Sequence, residues 1–364
     1  MIYLDYSATT KVDNDTLNYF NEIVKEYYAN PNSKYDISLN VKKEIEKNTK
    51  IIANYLNVDE EEIIYTSGAS EANNLAIKGV VESRPNSQII TTKLEHSSII
   101  TPLGYLQKKG YKVVFVNLKE NGEVDFDHLE ELLQTDTSLV TIGLVSSELG
   151  IIQPINKIGE LINNYPNTVF HSDITQGIGK MEIDLTNVDL ASISAHKFYA
   201  FKGIGALIKK RRVNLIPLIH GGRSITSYRA GTPQTELICS MGYAVSKLSD
   251  LHLDHVRNLN ENIKTHLSKY DNVFINSPDI AVPHILNISI INKLSDDTQE
   301  YFANNKIYLS TKTACSDTGS YSKAVFELTK SIERAESSIR ISLSKYTTNE
   351  EIDKLLEVFD SYLK

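Results

Sequence analysis

Short, nearly continuous apolar runs alternate with amphipathic helical patterns from about residue 60 to about residue 210, and this alternation constrains the fold more than any other feature. "EEIIYTS" passes into "EANNLAIKGVV", and "QIITTKLEH" into "SSIITPLGYLQKKG". "YKVVFVNL", "SLVTIGLVSS", "PINKIGELINNY", "TVFHSD", "DLASISAHK" and "GIGALIKK" follow. A strand that is apolar on both faces must be covered on both. The pattern therefore predicts an α/β fold whose large domain is a mostly parallel sheet flanked by helices. Such sheets bind ligands beyond the carboxyl ends of their strands. The polar residues of interest gather at those ends: Ser67 to Glu71, His96, Ser146 to Glu148, Asp173, and Ser194 to Lys197.

With 364 residues the chain exceeds what one compact core usually serves, so two domains are expected. The large one is placed at 14–245; residues 1–13 and 246–364 are assigned to a smaller α+β domain. A long helical stretch, 235–268, connects the two, and the last helix opens on a capping box from Thr348 to Glu351. The N-terminal dozen residues are expected to lie against the small domain. A net charge of −8 argues against a dedicated nucleic-acid or anionic-membrane surface; the basic run at Lys209 to Arg212 reads as a solvated turn after a strand. No apolar run approaches membrane-spanning length, and no basic leader with an apolar core opens the sequence. The two cysteines, Cys239 and Cys315, are too far apart in sequence for a CxxC metal or redox motif, and a cytoplasmic setting with reduced thiols is expected.

Several strand ends carry residues suited to chemistry. In "YTSGASEANNLA" a strand turns through Gly and small hydroxyl residues into a helix at about Glu71, which gathers backbone N–H groups, Ser67 and Ser70 around one point and suits a phosphate or carboxylate. A plain N-cap explains the same residues. Asp173 ends an apolar strand, where a carboxylate needs a cationic or hydrogen-bonding partner; a pyridinium nitrogen would serve, and so would a turn to cap. Lys197 ends another apolar strand and suits imine formation, although most strand-end lysines are simply solvated. His96 is placed either to stack on a planar ligand or to support structure. Taken as a set, a phosphate cradle, an acid, an amine and a histidine in this fold class fit pyridoxal 5′-phosphate (PLP), which needs a lysine for its aldehyde, an acid for its ring nitrogen and a helix terminus for its phosphate.

The segments "YLDYSATT", "TSGASEANNLAIKG", "EHSS", "SELGIIQPI", "HSDITQGIGK", "SAHKFYAFKGIGAL", "RAGT", "TACS" and "SSIRISL" run nearly end to end. In order and spacing the chain resembles the cysteine desulfurases of the NifS/IscS group, within the class-V aminotransferase-like PLP enzymes of fold type I. The resemblance implies that Lys197 bonds to the cofactor and then moves the Cα proton, that Asp173 pairs with the ring nitrogen, and that His96 stacks on the ring. It further implies that Gln176 reaches the phenolic oxygen, that Ala69, Ser70, Ser194 and His196 hold the phosphate, and that Thr232 contacts the phosphate of a second subunit in a homodimer. Arg340 would clamp the substrate carboxylate. Cys315, on a small and polar loop at about 310–322, would take sulfur from L-cysteine as a persulfide, release alanine and pass the sulfur to an acceptor protein, a scaffold for Fe–S assembly or a tRNA-thiolation enzyme. Cys239 lies in an apolar helical pattern and reads as core.

Four places depart from the group. Ser146 and Ser147 stand where two asparagines are usual, the second of them a cofactor and substrate contact. Arg223 interrupts a glycine-rich run, Lys312 occupies a glycine position just before Cys315, and Asp36 replaces a common histidine. These changes surround the substrate and the loop and leave the cofactor set intact. A lyase acting on cysteine, cystine or selenocysteine, and a non-catalytic sulfur-transfer scaffold, are the competing readings.

Overall fold

The computed structural model describes residues 1–85, 87–222, 224–248, 252–311 and 321–364. In chain order the elements begin with β1 (Ile2–Tyr3), α1 (Asn14–Glu26), α2 (Asp36–Leu56), β2 (Ile63–Thr66), α3 (Ala69–Val81), β3 (Gln88–Thr91), α4 (Ser97–Lys108) and β4 (Lys112–Phe115). They continue with α5 (Phe126–Leu133), β5 (Thr137–Thr141), α6 (Ile155–Ile162), β6 (Val169–Asp173), β7 (Leu190–Ser194), β8 (Gly205–Lys209) and α7 (Thr235–Ser246). The remainder comprises α8 (Leu253–Leu267), β9 (Val273–Ile275), β10 (Ile285–Ile290), α9 (Ser295–Asn304), β11 (Ile307–Tyr308), α10 (Lys323–Thr329), α11 (Ile332–Glu336), β12 (Ser338–Ser342) and α12 (Asn349–Leu363).

Seven strands form the main sheet in the order β2-β8-β7-β6-β5-β3-β4. All neighbours are parallel except β8, which runs antiparallel to both β2 and β7. Apolar side chains on both faces, such as Ile64, Ile89, Leu139 and Leu207 on one side and Ile63, Ile90, Val140 and Ile208 on the other, pack under helices. Three polar residues inside the sheet are paired with each other. Thr141, His171 and Ser192, on three adjacent strands, form a buried chain through the two imidazole nitrogens at 2.8 and 2.9 Å. Burial there holds the His171 ring down to about 4, so it is a neutral strut.

A second core gathers Leu4, Ile288, Phe302, Ile341 and Phe359 under α8 and α12. Its sheet is antiparallel, β12-β10-β9, and β1 pairs in parallel with β11 beside it. After β1 the chain first stays with the second core, where Asp5 bridges to Ser342 of β12, and then crosses to the turn after β7: Thr10 N–H donates to His196 O at 2.9 Å, and Asp13 N–H to Tyr199 O at 3.0 Å. Residues 1–13 therefore strap the two cores together. The capping box of α12 forms as its sequence requires.

Three expectations need correction. The long helical stretch 235–268 is two helices, α7 and α8, and His252, in the left-handed backbone region (φ 49°), starts the second. Helix α3 begins at Ala69, two residues before Glu71, because Gly68 at φ 150° makes the turn that a side chain would disfavour. The basic run is also less solvated than its composition suggests: Lys209 is buried and donates to Val213 O at 2.8 Å.

Candidate active site

A cavity of about 410 Å³ opens at the carboxyl ends of β2, β3, β5, β6 and β7, where parallel strands present loops. Ala69, Ser70, His96, Ser147, Asp173, Gln176, Ser194, His196, Lys197 and Arg340 all line it. Thr232 does not; it is exposed, outside this cavity. Asp36 begins α2 at an exposed position, also away from the cavity. Cys315, Lys312 and Arg223 lie outside the described residues.

One wall is the start of α3. No side chain caps this helix, and the first helical bond, from Ala72 N–H to Gly68 O, leaves the amides before it directed toward the turn. Close packing requires glycine here. A Cβ on Gly205, at the start of β8, would sit 2.4 Å from Ile193 O and 2.7 Å from the Gly68 Cα. Glu71 is drawn aside by Arg229, 3.0 Å away, and by the Ser67 N–H, so its charge does not fill the helix start.

The opposite wall carries the charged groups. Lys197 follows β7 in a single 3₁₀ turn, and its Nζ donates to the carbonyls of Ser7 and Ala8 at 2.6 and 2.7 Å. The hydroxyl of Ser7, beside it, is buried without a hydrogen-bond partner. Asp173 ends β6; its carboxylate accepts from the Thr175 amide at 3.0 Å and from Asn73 Nδ2 at 2.8 Å. The turn-capping role and the outward-facing carboxylate thus coexist. His96 caps α4, with Nδ1 accepting from the Ser98 amide at 3.1 Å, which leaves the ring proton on Nε2. Burial, and then the nearby cations Lys197 and Arg340 against the pull of Asp173, hold its pKa below the usual histidine range. His196 is pushed down to about 4 by burial and by Lys197, so it is a neutral donor or acceptor, held by Thr9 Oγ1 at 3.1 Å.

Arg340 reaches in from β12 of the second core. It is 2 % exposed, donates from Nη1 to Ser147 O at 2.8 Å and pairs through Nη2 with Asp5 Oδ1 at 2.7 Å, while its Nε is buried and unpaired. Gln176 is oriented from both ends: Nε2 donates to Ser7 O at 2.9 Å and Oε1 accepts from Lys180 Nζ at 2.5 Å.

The chain matches the model of the class-V aminotransferases over residues 2–355. It belongs to that family. A cysteine desulfurase IscS of Clostridium botulinum is 35% identical over all of this chain and 94% of its own length. A mitochondrial cysteine desulfurase of Eremothecium gossypii is 34% identical, covering 98% of this chain and 74% of that one. Among solved structures, a NifS-like protein superposes with a TM-score of 0.92 at 33% identity, covering 100% of this chain and 99% of its own. SspA in complex with cysteine does so with a TM-score of 0.85 at 30% identity, covering 96% and 100%.

This class-V aminotransferase family works with PLP. The cavity's own chemistry fits that cofactor: an amine, a carboxylate at a strand end, an imidazole held neutral, an uncapped helix start and an unpaired buried hydroxyl face one space. Reasoning from the sequence missed four polar residues that the fold brings in: Asp5 against Arg340, Asn73 against Asp173, Glu95, and Lys180 against Gln176. Glu95 accepts the Gly143 amide with both oxygens, at 3.1 and 3.0 Å, and Thr92 Oγ1 at 2.7 Å; burial, opposed by these bonds and aided by Asp173, raises it to about 7. Each of the four lies within a quoted segment or beside a chosen residue, but nothing in the local pattern marks it out. Among the described residues no three His, Cys, Asp or Glu side chains are grouped to hold a metal, and no helix is long and apolar enough to cross a membrane.

Proposed function

We propose that the chain is a cysteine desulfurase, converting L-cysteine to L-alanine and passing the sulfur on as a persulfide carried by Cys315. The observation that carries this reading is the meeting of Lys197 and the buried Arg340 in one cavity, an amine and a guanidinium placed for an α-amino acid. Relatives named cysteine desulfurase across the whole chain, and a neighbour solved with cysteine, support the substrate.

Bound PLP supplies an aldehyde for the substrate's amine and a ring that takes up negative charge from Cα. Asp173, at the end of β6, would face the ring nitrogen and hold a proton there. Ala69, Ser70, Ser194 and His196 hold the phosphate, His96 stacks on the ring and aids proton movement, and Gln176 donates to the phenolic oxygen. Arg340, fixed by Asp5 and Ser147 O, presents its remaining N–H groups to the substrate carboxylate. Lys197 removes the Cα proton and returns it. The Cys315 thiolate attacks the substrate sulfur, forming an S–S bond; the substrate's Cβ–S bond breaks with its electrons going to carbon, which is protonated and leaves as alanine. Ser147, shorter than the usual asparagine, leaves more room at the substrate. Thr232 serves the partner site of a homodimer, and a scaffold or tRNA-thiolation protein accepts the sulfur in the cytoplasm, where thiols stay reduced.

The test is to feed L-cysteine to the PLP-loaded protein under a mild reductant and identify the organic product. Alanine, lost in Cys315→Ala, is the expected result. Pyruvate that survives that substitution makes the protein a lyase, and no product with no visible cofactor absorbance makes it a scaffold.

A further inference from the structure

Asn73 is fully buried in the first turns of α3, and its side-chain amide reaches in two directions. Nδ2 donates to Asp173 Oδ2 and to Ser98 Oγ, both at 2.8 Å. The orientation is dictated by chemistry: turning the amide would set its carbonyl oxygen against a carboxylate. The cost shows at the other end, where Asn73 Oδ1 is buried with no partner.

Ser98 relays this contact. Because its hydroxyl oxygen accepts from Asn73, its own proton is turned toward His96 Nδ1, 2.8 Å away. The Ser98 backbone N–H donates to the same nitrogen at 3.1 Å. With two donors aimed at Nδ1, a proton there is opposed, and the ring keeps its hydrogen on Nε2. The charged groups facing this imidazole are Asp173 and Glu148, which favour its cation, and Lys197 and Arg340, which oppose it.

The geometry points to Asn73 as a positioning residue: one amide ties the carboxylate of Asp173 and, through Ser98, the imidazole of His96, so that the two groups beside the cofactor ring hold a fixed orientation and His96 stays neutral with its proton on Nε2. The inference rests on Asp173 and His96 being cofactor contacts, as proposed above. It makes Asn73 and Ser98 act through those two residues; neither needs to touch the cofactor.

The experiment is ring-¹⁵N NMR of histidine-labelled full-length protein, with His96 assigned from a His96→Asn variant, together with a PLP binding titration. In Ser98→Ala the His96 pKa rises toward its ordinary value, because Nδ1 loses the hydroxyl donor, while the backbone N–H of residue 98 still donates to Nδ1 and keeps the hydrogen on Nε2. Asn73→Ala shows the same change and in addition binds PLP about tenfold more weakly, the scale of one lost charge-assisted bond to Asp173. Asn73→Asp, equal in size but bringing a like charge to Asp173, binds PLP more weakly still. A His96 pKa unmoved in both Ser98→Ala and Asn73→Ala overturns the inference, and Ser98→Ala decides it alone if Asn73→Ala does not fold. Asp173→Ala separates the two levels: PLP affinity unchanged in that variant overturns the assignment of Asp173 to the cofactor, whatever the histidine spectra show.

Discussion

Replacing Lys180 with methionine is expected to make the protein more stable at neutral pH while loosening the site. Lys180 is 6 % exposed, and its Nζ has Gln176 Oε1 as acceptor at 2.5 Å. Among the described residues no carboxylate lies within 4.0 Å of it. Burial first, then the charges of Lys197 and Arg340, pull its pKa down to about 7. The fall from 10.5 corresponds to a ceiling of about 5 kcal/mol of destabilisation, at ~1.4 kcal/mol per unit. Methionine keeps most of the stem's apolar packing but leaves Gln176 Oε1 without its donor, at about 1–3 kcal/mol. At most about 2–4 kcal/mol of net gain remains. The pH dependence follows from which state sheds its proton first. Below about pH 7 both folded and unfolded chains carry the charge and the cost is fully present; between about pH 7 and about pH 10.5 the folded chain has lost its proton while the unfolded one keeps it, so the cost fades. Urea melts of wild type and Lys180→Met at about pH 6.5 and about pH 9.5 measure the difference. A variant no more stable than wild type at the lower pH, or a gap that does not narrow at the higher one, would refute the reasoning. The accompanying loss is at Gln176, whose orientation then rests on Ser7 O alone, so PLP binding weakens as stability rises.

Other outcomes follow from the same geometry. Arg340→Lys loses the forked guanidinium that spans Asp5 and Ser147 O, and the KM for L-cysteine should rise roughly 10- to 100-fold; an unchanged KM would remove Arg340 from the substrate site. Cys239 is buried, and burial pushes its thiol up to about 12, so iodoacetamide should label the folded protein at Cys315 and reach Cys239 only after denaturation, as peptide mapping would show. Glu95→Gln copies the protonated form of a carboxyl raised to about 7 by burial, so the variant should gain stability over wild type as pH climbs from about 4.5 through about 7 and hold that gain above it; thermal melts showing no such divergence would rule this out.

Much of the architecture was legible because it rests on local patterns with strong physical causes. Apolar runs such as "IIYT" and "LASIS" are buried at every position, as strands covered on both faces must be. The capping box at Thr348 forms from four adjacent residues. The split between α7 and α8 was not legible, because apolar and charged residues interleave on both sides of it, while the backbone ends α7 at Lys247 and opens α8 from His252 in the left-handed region. Nor was the early start of α3, since helix spacing alone does not show which residue makes the turn.

For the site, the chain's own order determined which residues stand at strand ends: Asp173 and Lys197 fall where apolar runs stop, and parallel strands direct such ends to one side. Tertiary structure alone decided their partners. Asp5 meets Arg340 across 335 positions, Asn73 meets Asp173 across 100, and Lys197 meets the carbonyls of Ser7 and Ala8 across 190 and 189. Local sequence carries no record of contacts that long, because a hydrogen bond depends on position in space while periodicity reports only which face of an element is apolar. The sequence determined what kind of groups reach the cavity; the packing of two cores, strapped by residues 1–13, decided how each is oriented and which proton it holds.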